Sequence, residues 1–302
     1  MTNSARRNTI TGISLAVLAT LIWSGNFIVA RGIYKQIPPV NLAFWRWICA
    51  SLILLPFAWN HIKKDWPVIK KSWLYFLIIA ITGISIFNTF VYIGGQYTTA
   101  INLALIGTTT SPIMSVILAR IFLKENIGWQ KIVGMLICIV GILFLLSKGD
   151  FRNLVSFEFT KGDAWVLGAA FAFAIYNTMV KRKPSSISPI SFLFVAFVLG
   201  TVILLPFYLQ ELTHTAPVRW DWQLVLIILY LGLGASVICF LIWNIAIRNL
   251  GAGRAALFGN LIPIFSSLEA VLILGEKFSK VHAVSMVLVF VGILLANLKF
   301  SR

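Results

Sequence analysis

The side chains able to do chemistry in this chain are few and stand out against a mostly aliphatic background. Two are charged: Arg46 and Glu269 each lie well inside a predominantly hydrophobic run. An arginine in such a run costs at least about 2.5–3.5 kcal/mol unless it finds a partner or water. A carboxyl in the same setting can hold or release a proton, which makes Glu269 the candidate for proton coupling. Ser85, Asn88, Tyr92 and Gln96 recur at spacings of three, four and four, one stripe of an α-helix. Such a stripe either lines a central cavity or hydrogen-bonds a neighbouring helix, at roughly 0.6–2 kcal/mol per contact. Thr108, Ser111 and Ser115 share a face near Pro112, and Asn260 and Ser267 share one with Pro263. Proline frees helix carbonyls, so each group marks either a solute site or hinge or a plain kink. Trp23 with Asn26, Tyr176 with Asn177, and Trp243 with Asn244 set an aromatic wall beside an amide, a combination suited to an amphipathic small molecule.

Other chemistries lack their residues. Catalysis would need clustered acids, histidines or a nucleophile beside a base; His61, His214 and His282 all fall near expected loops. Cys49, Cys138 and Cys239 are far apart in apolar runs, a poor basis for a disulfide framework or a zinc site. No phosphate loop supports an ATP-driven pump, and no charge rings or carbonyl filter suggest a channel. The sequence therefore predicts no enzyme, metal or cofactor.

The elements that must position these residues follow from composition. Of 302 residues, 59% are hydrophobic and 11% charged, against about 45–50% and about 25% in soluble domains. Ten spans of about 20 residues would consume about 200 positions and leave only short loops and tails. Uncharged runs place helices at 8–30, 38–59, 128–147, 162–181, 188–209, 222–247, 253–274 and 280–298, and the run 72–119 divides at Gly94–Thr99 into two more. Arg6 and Arg7 ahead of the first run resemble a signal peptide, but 23 uncharged positions are long enough to span, so the segment is expected to be a retained helix. Trp45, Trp47, Trp59, Trp73 and Trp222 lie near expected helix ends, where most should meet lipid headgroups.

The net charge of +16 then reflects basic loops facing an anionic leaflet rather than nucleic acid. About twice as many Lys and Arg fall on the side of the N-terminus as on the other, which predicts a multi-pass protein of the cytoplasmic (inner) membrane with both termini cytoplasmic.

The two halves resemble each other. Ile53–Phe57 recurs as Ile203–Phe207, Trp73 as Trp222, and Val140–Leu143 as Val291–Leu294, while Pro112 and Glu125 are spaced like Pro263 and Glu276. An odd number of helices per unit forces the second unit to be inverted in the membrane. The expected fold is an all-α polytopic membrane protein of ten transmembrane helices in two inverted five-helix repeats, residues 1–149 and 150–302. Inverted repeats are the usual construction of secondary carriers, with the site at the repeat interface.

Leu21-Ile22-Trp23-Ser24-Gly25-Asn26-Phe27, Phe44-Trp45-Arg46 and the Pro112…Glu125 and Pro263…Glu276 spacings resemble the drug/metabolite transporter superfamily, in its EamA-type branch. The resemblance covers nearly the whole chain. It implies a small-molecule solute, and an exporter of amino acids or related metabolites, with an importer of the same fold as the alternative. In the second half Ala174-Ile175-Tyr176-Asn177-Thr178 keeps the Asn but not the Trp, so the site should be asymmetric.

Arg46 is seven residues into its helix and Glu269 six residues from the end of its own, roughly 10 Å and 9 Å deep from the same side. Two readings follow: Arg46 pairs permanently with Glu269, or it faces a wet cavity and clamps a substrate carboxylate. The resemblance implies an arginine near this point in carriers of differing substrates, which favours the pairing.

Overall fold

The computed structural model describes residues 3–124, 128–150, 152, 160–180, 182–250 and 258–297. Among them are ten helices: α1 (Asn3–Gly32), α2 (Pro39–Lys71), α3 (Trp73–Gly94), α4 (Ala100–Leu123), α5 (Trp129–Leu146), α6 (Lys161–Val180), α7 (Pro189–His214), α8 (Trp222–Leu250), α9 (Gly259–Leu274) and α10 (Lys280–Asn297). Seven are long and apolar enough to cross a membrane, and α5, α9 and α10 contain shorter apolar stretches. The main departure from expectation is α2, which runs twelve residues past 59 and carries Lys63, Lys64, Lys70 and Lys71 on helix rather than loop.

Local chemistry sets the helix ends. Proline opens both α2 and α7, where its missing N–H costs nothing. Thr99, Ser188 and Asp221 accept the backbone N–H three residues on, each closing a helix start. Gly275 ends α9 at φ 67°, a left-handed conformation that glycine adopts without strain.

Packing relates the two halves. Helix α1 packs on α8 and α9, and its counterpart α6 packs on α3 and α4; α2 pairs with α7, and α5 with α10. The last pair sits to one side and approaches closely: a Cβ on Gly292 would lie 2.5 Å from the Gly134 carbonyl oxygen, and Ser285 donates to the Gly141 carbonyl at 2.8 Å.

Both third helices contain a π-helical segment, Ala80–Ile86 in α3 and Tyr230–Ile238 in α8. In each a serine donates to the carbonyl five residues earlier, Ser85 to Ala80 and Ser236 to Leu231. Each segment packs on the second helix of the opposite repeat, the first on α7 and the second on α2. Segments of this kind widen the helix and gather at functional sites.

Candidate functional site

Arg46 is 5% exposed and is held by neutral oxygens from three other helices. Nη1 donates to Asn26 Oδ1 of α1 at 2.6 Å, Asn88 Oδ1 of α3 at 2.7 Å and the Tyr92 hydroxyl of α3 at 2.8 Å. Nε donates to Ser236 Oγ in the π-helical segment of α8 at 3.2 Å. The Tyr92 hydroxyl donates to Asn26 Oδ1 at 3.0 Å. The guanidinium also lies over the Trp47 ring, 4.7 Å from its centroid.

The arrangement consumes acceptors and leaves donors. Both amide oxygens are turned to the guanidinium, so both amide nitrogens point elsewhere. Among the described residues, Arg46 Nη2, Asn26 Nδ2 and Asn88 Nδ2 have no hydrogen-bond partner. A buried cation with spare N–H groups and no counter-ion is electrostatically incomplete.

Four consecutive residues of α1 organise the surroundings. Trp23 Nε1 donates to the Ala235 carbonyl of α8 at 2.9 Å. Ser24 Oγ lies 2.8 Å from Glu269 Oε1 of α9. Gly25 admits the Tyr230 hydroxyl, since a Cβ there would lie 2.2 Å from it, and that hydroxyl donates to the Ile22 carbonyl. Asn26 meets Arg46 and Tyr92.

The expected pairing of Arg46 with Glu269 is not formed. Among the described residues the one ion pair within 4.0 Å joins Arg152 and Asp150. Equal depth did not imply contact, because the two charges engage different residues of α1.

Other expectations resolve case by case. Asn26, Arg46, Asn88 and Tyr92 come together in one hydrogen-bonded cluster. Trp23 and Trp243 meet edge to face, centroids 5.2 Å apart. The α3 stripe divides: Asn88 and Tyr92 serve Arg46, while Ser85 donates to the Gly200 carbonyl of α7 at 3.0 Å. Gln96 lines a recess of about 740 Å³ with Tyr34, Lys35, Glu211 and Arg219. Tyr176 packs its ring into the space left by Gly83 and stacks on Phe173. Thr108 returns its hydroxyl to Ala104 at 2.6 Å. Ser111 is buried with its hydroxyl unpartnered among the described residues, and Asn177 and Asn260 are half-buried. Trp47, expected near headgroups, is 2% exposed and donates to the Ile84 carbonyl at 3.1 Å; Trp222 is 71% exposed, as that reading requires.

Sequence reasoning missed Ser236, Ser24 and Tyr230. Ser236 was detectable only as the counterpart of Ser85, 151 residues on. It also missed what the acidic residues do. Glu211 accepts from Val40 N at 3.2 Å and Asn41 N at 2.7 Å, at the start of α2; Asp65, near the other end of α2, accepts from Ser188 N at 3.0 Å, at the start of α7. Glu276 accepts from Ala100 N at 2.8 Å and Ile101 N at 3.3 Å, at the start of α4. Its repeat counterpart Glu125 lies outside the described residues.

Comparison with known proteins agrees with this architecture. An uncharacterized transporter of Archaeoglobus fulgidus is 28% identical over 286 residues, covering 94% of this chain and 96% of its own. A protein of Rickettsia felis named as an S-adenosylmethionine uptake transporter is 26% identical over 277 residues, covering 91% and 88%. A crystal structure with 20% identity superposes with a TM-score of 0.61 over 96% of both chains, which supports the fold. The model of the EamA-like transporter family matches twice, over residues 10–147 and 160–298. The chain is a multi-pass membrane protein and belongs to the EamA-like transporter family.

Proposed function

We propose that this transporter moves a small organic solute bearing a carboxylate by alternating access, and that the Arg46 cluster holds that carboxylate. The observation carrying this reading is the surplus of donors. Arg46 Nη2, Asn26 Nδ2 and Asn88 Nδ2 are unpartnered among the described residues, around a buried cation whose acceptors are already bound. A planar carboxylate would supply both the missing charge and the missing acceptors. Trp23 and Trp243 supply apolar surface one turn away on α1 and on α8.

Amino acids and related metabolites fit this chemistry, and export is the direction that the family resemblance favours. Import is the second reading, favoured by the name of the Rickettsia relative. We read residues 1–149 and 150–302 as the two moving units, supported by the two separate family matches. Both termini are assigned to the cytoplasm on the charge asymmetry of the loops.

The test is counterflow in proteoliposomes: purified protein, loaded with unlabelled amino acids, exchanges against labelled ones, with nucleosides and sugars alongside. Exchange of amino acids that falls at least tenfold in Arg46→Gln supports the reading. Exchange of the neutral sugars or nucleosides instead, unaffected by Arg46→Gln, overturns the assignment of the site.

A further inference from the structure

Ser24 and Glu269 present a problem of counting hydrogens. Ser24 Oγ lies 2.6 Å from the Leu21 carbonyl oxygen and 2.8 Å from Glu269 Oε1. Two oxygens at such distances need a hydrogen between them. The serine hydroxyl carries one, and the carbonyl carries none. An ionised carboxylate carries none either, so the single serine hydrogen would have to be shared between two acceptors, weakening both bonds. A protonated Glu269 removes the conflict: its O–H donates to Ser24 Oγ, and Ser24 donates to Leu21.

The surroundings agree with a neutral acid. Glu269 Oε2 is buried and has no hydrogen-bond partner among the described residues. The charged residues on the helices packed against α9 are Arg6, Arg7 and Arg31 on α1 and Arg120 on α4, all near helix ends. Arg31 is engaged with the Gly95 carbonyl at 3.1 Å and lies over Tyr34. Tyr230 of α8 reaches α1 at this level but gives its hydroxyl to Ile22. Asp65, Glu211 and Glu276 differ on this point, since each accepts backbone N–H groups at a helix N-terminus, where negative charge is stabilised.

We propose that Glu269 is a proton-binding site, neutral in this conformation, that joins α9 to α1 through Ser24 and releases its proton when the two helices part. On release the carboxyl O–H bond breaks, its electron pair stays on the carboxylate, and the proton passes to water. The Ser24 hydroxyl keeps its bond to the Leu21 carbonyl. The use of this proton to drive solute movement rests on the transporter reading; the protonation state does not.

The experiment is infrared spectroscopy of the full chain in phosphatidylethanolamine and phosphatidylglycerol vesicles, with no solute added. At neutral pH the wild type should show a protonated-carboxyl carbonyl band that is lost in Glu269→Gln. In Ser24→Ala, which keeps the acid but removes its acceptor, the band should move to higher frequency. The proposal is overturned if the wild type and Glu269→Gln differ at neutral pH only in ionised-carboxylate bands, or if the carbonyl band is unmoved in Ser24→Ala. Because no solute is involved, failure here leaves the transport assay standing, and failure of transport leaves this result standing.

Discussion

Arg46 and Glu269 are joined through α1 and not to each other: Asn26 receives the guanidinium at 2.6 Å, and Ser24, two residues earlier, meets the carboxyl at 2.8 Å. Residues two apart on a helix are separated by about 200°. Arg46 and Glu269 therefore meet opposite flanks of the same helix. Each has its own neutral partners.

This arrangement makes a double substitution informative. Arg46→Ala strands the amide oxygens of Asn26 and Asn88, and should lower stability by about 2–4 kcal/mol. Adding Glu269→Ala should not restore it. Thermal unfolding of the purified variants in detergent reads both losses; recovery in the double variant would mean that the charges pair after all.

A carboxylate built into the cluster should mimic a bound solute. Asn88 Oδ1 is 2.7 Å from Arg46 Nη1, so Asn88→Asp supplies a counter-ion in place. The variant should unfold at a higher temperature than the wild type and exchange carboxylate solutes at least tenfold more slowly. A variant that exchanges them at the wild-type rate would contradict the clamp.

The fit of Tyr230 against Gly25 predicts a paired effect. Gly25→Ala puts a methyl group 2.2 Å from the Tyr230 hydroxyl and should cost about 1–3 kcal/mol by overpacking. Tyr230→Phe in the same chain should recover part of that loss, because it removes the atom in closest contact. No recovery would place the strain elsewhere.

Asp65 and Glu211 should each support the pairing of α2 with α7, Asp65 of α2 accepting at the start of α7 and Glu211 of α7 accepting at the start of α2. Asp65→Asn and Glu211→Gln should each lower stability by about 0.5–2 kcal/mol, and the two losses should add. Unchanged melting of either variant would reduce that carboxylate to a surface group.

Much of the fold was legible because a bilayer demands long uncharged helices. The site was legible in part. Arg46, Asn26, Asn88 and Tyr92 announced themselves as polar groups in apolar helices, but their mutual contact did not. Depth can be counted along a helix from its end, whereas the direction in which a residue faces across the bundle cannot, which is why Glu269 looked like a partner for Arg46. The π-helical segments were hidden for a related reason. They shift every following side chain off the 3.6-residue period on which the α3 stripe was read, so Ser85 parted from Asn88 and Tyr92. Glu211, Asp65 and Glu276 reach helix starts that are 123 to 176 residues away in sequence, a distance at which local pattern carries no information.

The central claim is that the spare donors around Arg46 receive a carboxylate. It is tested most directly by competition in the proteoliposome exchange assay, using matched compounds that differ only at that group: an amino acid, its amide and its decarboxylated amine. The amino acid should compete at least tenfold better than either analogue in the wild type, and this preference should collapse in Arg46→Gln. If the amine competes as well as the amino acid, or if the preference survives in Arg46→Gln, the carboxylate is not held by Arg46.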